Sequence, residues 1–184
     1  MSDPVSPSLL LLCIDLQPVF LKAVADSPAF QRRCAFALQA AAGLGLDVLF
    51  TEQAPQKLGL TAPELHVLAP AAPALGKDAF SALGDERIRA AVLAEGREHV
   101  LLCGLETSVC VYQTALDLLA AGLQVTIFSD AVAARRPDDA RAALDALVRA
   151  GAHVLPSETV FYALLRDVKH PFFRAYTQLV KAHA

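Results

Sequence analysis

At 184 residues the chain has the length of one domain, spanning 1–184, with room for a substantial core. Its net charge of −3 comes without a basic patch, which argues against nucleic acid as a partner. Hydrophobic residues make up 55% and the mean hydropathy is +0.43, yet no window approaches the roughly 18 uncharged apolar residues of a membrane span, so the surplus points to a homo-oligomer.

The run VSPSLLLLCIDLQ is stopped by Asp15 and has no basic segment before it, a poor match to an export leader. Within it, LLLLCID (9–15) is continuously apolar, as a strand buried on both faces should be. FQRRCAFALQAAAGLGL (30–46) has helical spacing and a glycine stop at Gly43 and Gly45, and DVLFTEQ (47–53) is a second strand. A Pro- and Gly-punctuated connection follows, with a short helix expected near 62–67 and a short strand near 73–76. Beyond it come a helix (85–96), a strand HVLLCG (99–104), a helix (108–122) and a strand QVTIFSD (124–130). A helix with Pro137 at its first position (137–151), a short strand (153–157) and two helical segments (157–167, 171–182) complete the chain. Strands joined by long helices predict a doubly wound α/β domain of five or six parallel strands, with helices on both faces.

In such a sheet the functional site lies beyond the carboxyl ends of the strands. That edge collects Asp15 and Gln17, then Thr51, Glu52 and Gln53, then Gly104 to Cys110, then Asp130 and Arg135; Lys77 can fold over it from the long connection. Alone, Asp15 is a turn or helix cap and Lys77 a solvated charge. The four cysteines, 13, 34, 103 and 110, have neither CxxC spacing nor a disulfide-dense pattern, so reduced thiols in a cytoplasmic setting are expected. Cys13, Cys34 and Cys103 belong to apolar faces and serve as small hydrophobes. Cys110 falls in the first turn of a helix after a strand that ends at Gly104. There the helix end is expected to lower the thiol pKa, and free N–H groups can meet an oxyanion. The five histidines form no HxxH or HExxH, so no transition-metal site is signalled. Nor does a histidine stand ready as base for Cys110; an acid after the first strand can take the proton, with a lysine holding it ionised.

CIDLQ, GKDAFSAL and CGLETSVCVYQTALDLLAAGLQVTIFSDAVAAR together resemble the isochorismatase-like cysteine hydrolases. TEQAPQKLGLTAPEL, SET at 157–159 and DVKHPFFRAYTQLVK resemble the isochorismatase-domain proteins of mitochondria and many bacteria, and the likeness runs from about Leu9 to Lys181. The resemblance implies a strand order 3-2-1-4-5-6 and a triad: Asp15 as general base, Lys77 to orient it, Cys110 as nucleophile. It also implies a cis peptide at Leu105–Glu106, backbone N–H groups of Glu106 and Cys110 as oxyanion hole, and a structural Thr107. Gln17 and Gln53 are candidates for the substrate pocket. Nicotinamidases carry an Asp-x-His-x-x-His metal motif where this chain has TEQAPQ, so neither metal nor other cofactor is expected and nicotinamide is an unlikely substrate. The familiar isochorismatases lack the cysteine that this chain has. The expectation is a metal-independent hydrolase of a small amide or related acyl compound, assembled as a dimer or tetramer; a non-catalytic scaffold and a thiol redox protein using Cys110 are the rival classes. The terminal stripe Phe172, Phe173, Tyr176 and Leu179 serves as the argument for assembly.

Overall fold

In a computed structural model that describes residues 8–183, the apolar runs become six strands: β1 (Leu9–Ile14), β2 (Asp47–Gln53), β3 (Ala74–Lys77), β4 (His99–Gly104), β5 (Gln124–Val132) and β6 (His153–Leu155). The first residues of the VSPSLLLLCIDLQ run, on which the leader argument partly rests, lie outside the described residues. All strands pair in parallel, in the order β3-β2-β1-β4-β5-β6. β1 and β4 sit at the centre, and all six residues of β1 are buried, which is why that run reads as unbroken rather than alternating.

Helices cover both faces. After the single turn α1 (Pro18–Leu21), α2 (Ser27–Leu44), α8 (Ser157–Leu165) and α9 (Phe173–Ala182) pack on one, burying Leu11, Cys13, Phe36, Phe128 and Phe161. α5 (Glu86–Val92), α6 (Tyr112–Ala120) and α7 (Pro137–Ala150) close the other over Leu12, Ile14, Leu102, Leu118 and Leu147. Local signals set the ends: Asp26 accepts the Ala29 N–H at 3.1 Å to start α2, and Asp85 accepts from Arg87 and Ile88 to start α5. Among the described residues no helix is long and apolar enough to cross a membrane.

Three details differ from expectation. The long connection holds two four-residue helices, α3 (Pro55–Leu58) and α4 (Pro63–His66). The helix after β4 opens with a π turn (Thr107–Val111), because Val111 N–H bonds the Glu106 carbonyl five residues back. The terminal aromatic stripe is used internally: Tyr176 is fully buried, and Phe172, Phe173 and Leu179 pack on the same core. That stripe therefore supplies no argument for assembly.

Candidate active site

The site forms at the carboxyl ends of the two central strands and β2. β1 ends in Asp15, whose φ of 51° lies in the left-handed region that Asp tolerates better than most residues. Its N–H bonds the Thr51 carbonyl at 3.1 Å and its carbonyl accepts from Gln17 N–H at 2.8 Å, a tight reversal that turns the carboxylate back over the sheet. Both carboxylate oxygens are held. Thr51 Oγ1 donates to Oδ1 and Lys77 Nζ to Oδ2, each at 2.8 Å.

Lys77, the last residue of β3, is buried with Asp15; their side chains are 0% and 1% exposed. A charge pair so deep persists only when its remaining protons and lone pairs are satisfied. Lys77 Nζ meets that condition with Gln53 Oε1 at 2.6 Å and the carbonyls of Phe80 and Ala79 at 3.1 and 3.3 Å. The loop carrying those carbonyls is pinned to α6 by Ser81 Oγ on Asp117 and by Ala82 N–H on Thr114 Oγ1.

Cys110 lies in the π turn after β4. Gly104, at φ 120°, permits the approach: a Cβ there would lie 2.0 Å from the Ile14 carbonyl oxygen. The following Leu105–Glu106 peptide bond is cis. Cys110 is 6% exposed; its thiol donates a long hydrogen bond to Gln53 Oε1 at 3.9 Å, within the electrostatic reach of Asp15, Lys77 and the Glu106 backbone. The expected low thiol pKa is corrected here. Burial pushes the thiol up to about 12, the Asp15 charge adds to the rise, and Lys77 with the Glu106 backbone only partly offsets them. At neutral pH the Cys110 side chain is therefore a thiol, not a thiolate.

The remaining sequence candidates divide. Gln17 is fully buried, with its amide spent on the Gln53 backbone (2.7 and 3.1 Å) and the Gly59 carbonyl, so it clamps β1 to β2 rather than facing a pocket. Glu52 binds Thr61 through N–H and hydroxyl at 2.7 and 2.9 Å. Asp130 joins Arg33 and Ser157 in a separate network, and the Thr107 N–H goes to the Ala133 carbonyl. Arg135 caps and pairs with the Glu106 carboxylate, fixing the residue whose backbone faces Cys110. Cys13 and Cys103 lie side by side in the core, their sulfurs 3.4 Å apart. Thr51 is the member that sequence reasoning left without a role; its position two residues before Gln53, on the same face of β2, is the signal that finds it. Among the described residues no cluster of three or more His, Cys, Asp or Glu is placed to hold a metal ion.

The isochorismatase domain profile matches residues 9–159. The chain belongs to the isochorismatase family. It is 38% identical to the mouse isochorismatase domain-containing protein 2A, over 95% of this chain and 82% of that protein. Among solved structures it is similar to the MAR1 ribonuclease of Caenorhabditis elegans, with a TM-score of 0.89 and 30% identity over 98% of this chain and 92% of that one. YcaC from Pseudomonas aeruginosa, solved with hexane-2,5-diol and covalent acrylamide, superposes with a TM-score of 0.85 at 25% identity, over 98% of this chain and 96% of that one. The isochorismatase-like hydrolase fold, with its strand order, is thus present throughout.

Proposed function

We propose that this family member is a metal-independent cysteine hydrolase that cleaves a small amide or related acyl compound through a thioester on Cys110. The carrying observation is the buried Asp15–Lys77 pair beside a buried, protonated thiol. A scaffold needs no such arrangement, and a thiol held near 12 is ill suited to a redox role that depends on the thiolate.

The chemistry follows from that thiol. Asp15 accepts the Cys110 proton as sulfur attacks the carbonyl carbon, while Lys77 keeps the acid ionised beforehand. Negative charge on the former carbonyl oxygen is met by the backbone N–H groups of Glu106 and Cys110. Asp15 returns the proton to the departing amine, leaving a thioester. Water then gives its proton to Asp15 and attacks the thioester; the C–S bond breaks, the acid product leaves, and Asp15 returns the proton to sulfur, restoring the thiol and the carboxylate. The metal-independent form is proposed because TEQAPQ stands where nicotinamidases carry their Asp-x-His-x-x-His motif.

The ribonuclease name of the C. elegans relative does not carry over readily. Asp15, Lys77 and Cys110 are 1%, 2% and 6% exposed, too recessed for a polynucleotide, and the net charge is −3. A panel of small amides and ureides, assayed for ammonia or amine release by wild type and Cys110→Ala, tests the reading. Release that requires Cys110 is expected; cleavage of RNA with no amide turnover overturns it.

A further inference from the structure

Gln53 stands at the centre of the site without belonging to the triad. It is 9% exposed, and every polar group it has is committed. Its Nε2 donates to the Asp78 carbonyl at 2.8 Å, which obliges Oε1 to face the other way. Oε1 accepts from Lys77 Nζ at 2.6 Å and lies 3.9 Å from Cys110 Sγ. Its backbone N–H and carbonyl are gripped by the Gln17 amide at 2.7 and 3.1 Å, so the residue is fixed at both ends.

We infer that Gln53 is a positioning residue that holds the Lys77 ammonium between Asp15 and Cys110 by offering it a neutral acceptor; the inference rests on the cysteine hydrolase reading and deepens it. The choice of amide over carboxylate follows from the charge count. Lys77 has four oxygen acceptors, from Asp15, Gln53, Ala79 and Phe80, and only Asp15 is ionic. The cluster is therefore neutral, and the ammonium retains its attraction for sulfur as the thiolate forms. A second carboxylate in the same place makes the cluster negative and opposes ionisation of Cys110, whose thiol already feels Asp15 as an unfavourable neighbour. An apolar side chain of similar length removes the shortest of the ammonium's four contacts and leaves its three N–H groups to Asp15 and the two carbonyls, with no acceptor on the Gln53 side to aim it. Gln53 thus acts on Cys110 chiefly through Lys77, its own contact with the sulfur being the long one of 3.9 Å.

The test uses Gln53→Glu, which keeps the shape and the bond to Lys77 while adding charge, and Gln53→Met, which keeps the length and removes the acceptor. Iodoacetamide labelling of Cys110, followed by peptide mass mapping from pH 7 to 9, needs no substrate. For Gln53→Glu the expected result is labelling about tenfold slower or more at each pH in the folded protein, one unit of thiol pKa being tenfold in thiolate, with a lowered melting temperature because the Asp78 carbonyl loses its donor. For Gln53→Met, kcat is expected to fall about tenfold or more with KM little changed. Should the Glu variant not fold, the Met variant carries the test. Wild-type labelling rates and wild-type kcat in the folded variants overturn the inference. So does a rise in KM alone, which makes Gln53 a substrate-binding residue. Failure of the hydrolase reading is seen separately, as turnover that survives Cys110→Ala.

Discussion

Replacing Asp15 by Asn separates the acidity of the nucleophile from catalysis. In the native site the thiol is pushed up to about 12, so about one in ten thousand is ionised at pH 8. Burial is the largest cause and the Asp15 charge the next, with Lys77 opposing both. Two unit charges 4 Å apart interact by about 4 kcal/mol at an effective dielectric constant of 20, and a third of that already equals about one pKa unit. Asp15→Asn removes the repulsion and leaves the Lys77 ammonium to face sulfur, still bonded to Gln53 Oε1 and two carbonyls. Labelling of Cys110 by iodoacetamide at pH 8 should therefore accelerate about tenfold or more. Turnover should fall roughly a hundredfold to ten-thousandfold, because Asn cannot accept the thiol proton or return it to the amine. The variant should also lose about 3–5 kcal/mol of stability, since half of a buried ion pair is gone. Unchanged or slower labelling in a folded Asp15→Asn protein would refute the electrostatic reasoning.

Stability should fall on both sides of neutrality. Cys110 is held well above its ordinary value by burial and the Asp15 charge, so the unfolded chain releases its proton first and stability is lost as pH rises past about 8.5, with Tyr176, raised by its burial, adding to the loss past about 10. His99 is held below its ordinary value by burial and by His153, so stability is also lost as pH falls below about 6.5; urea midpoints from pH 5 to 10 check both limbs, and a steady rise toward pH 10 contradicts the first. Gly104→Ala places a methyl 2.0 Å from the Ile14 carbonyl and should cost about 3 kcal/mol or more in chemical denaturation; a loss under about 1 kcal/mol contradicts the packing described. Leu60, Val67, Phe80 and Val168 are each more than half exposed, and light scattering at micromolar concentration is expected to give a multiple of the 19.5 kDa chain, a clean monomer being the contrary result.

The sheet was legible in the sequence because its central strands are buried on both faces and leave continuous apolar runs; β1, β2 and β4 start at the expected residues. Asp15, Lys77 and Cys110 were legible as residues at strand ends, and the family resemblance joined them. Their electrostatics were not. A helix start argues for an acidic thiol, but burial beside Asp15 outweighs it, and burial depends on the loop around Phe80 and the turn after Gly104. Gln17 reads as a pocket residue because it follows a strand, yet its partners lie 36 and 42 residues away, beyond any local pattern. The π turn spans five residues, too few for its period to differ visibly from that of an α-helix. The terminal stripe has a helical period that fits an interface and a core equally well, and only the packing of Tyr176 against Phe36 and Phe161 decides between them.

In the proposed reaction Cys110 carries the acyl group. Wild-type protein, acid-quenched during turnover of an amide found in the panel and mapped by peptide mass spectrometry, tests it directly. A mass increase equal to the acyl fragment is expected on the peptide containing Cys110, absent from Cys110→Ala, which also lacks turnover. Unmodified Cys110 in the quenched enzyme, together with a Cys110→Ala variant that still turns over the amide, would contradict it.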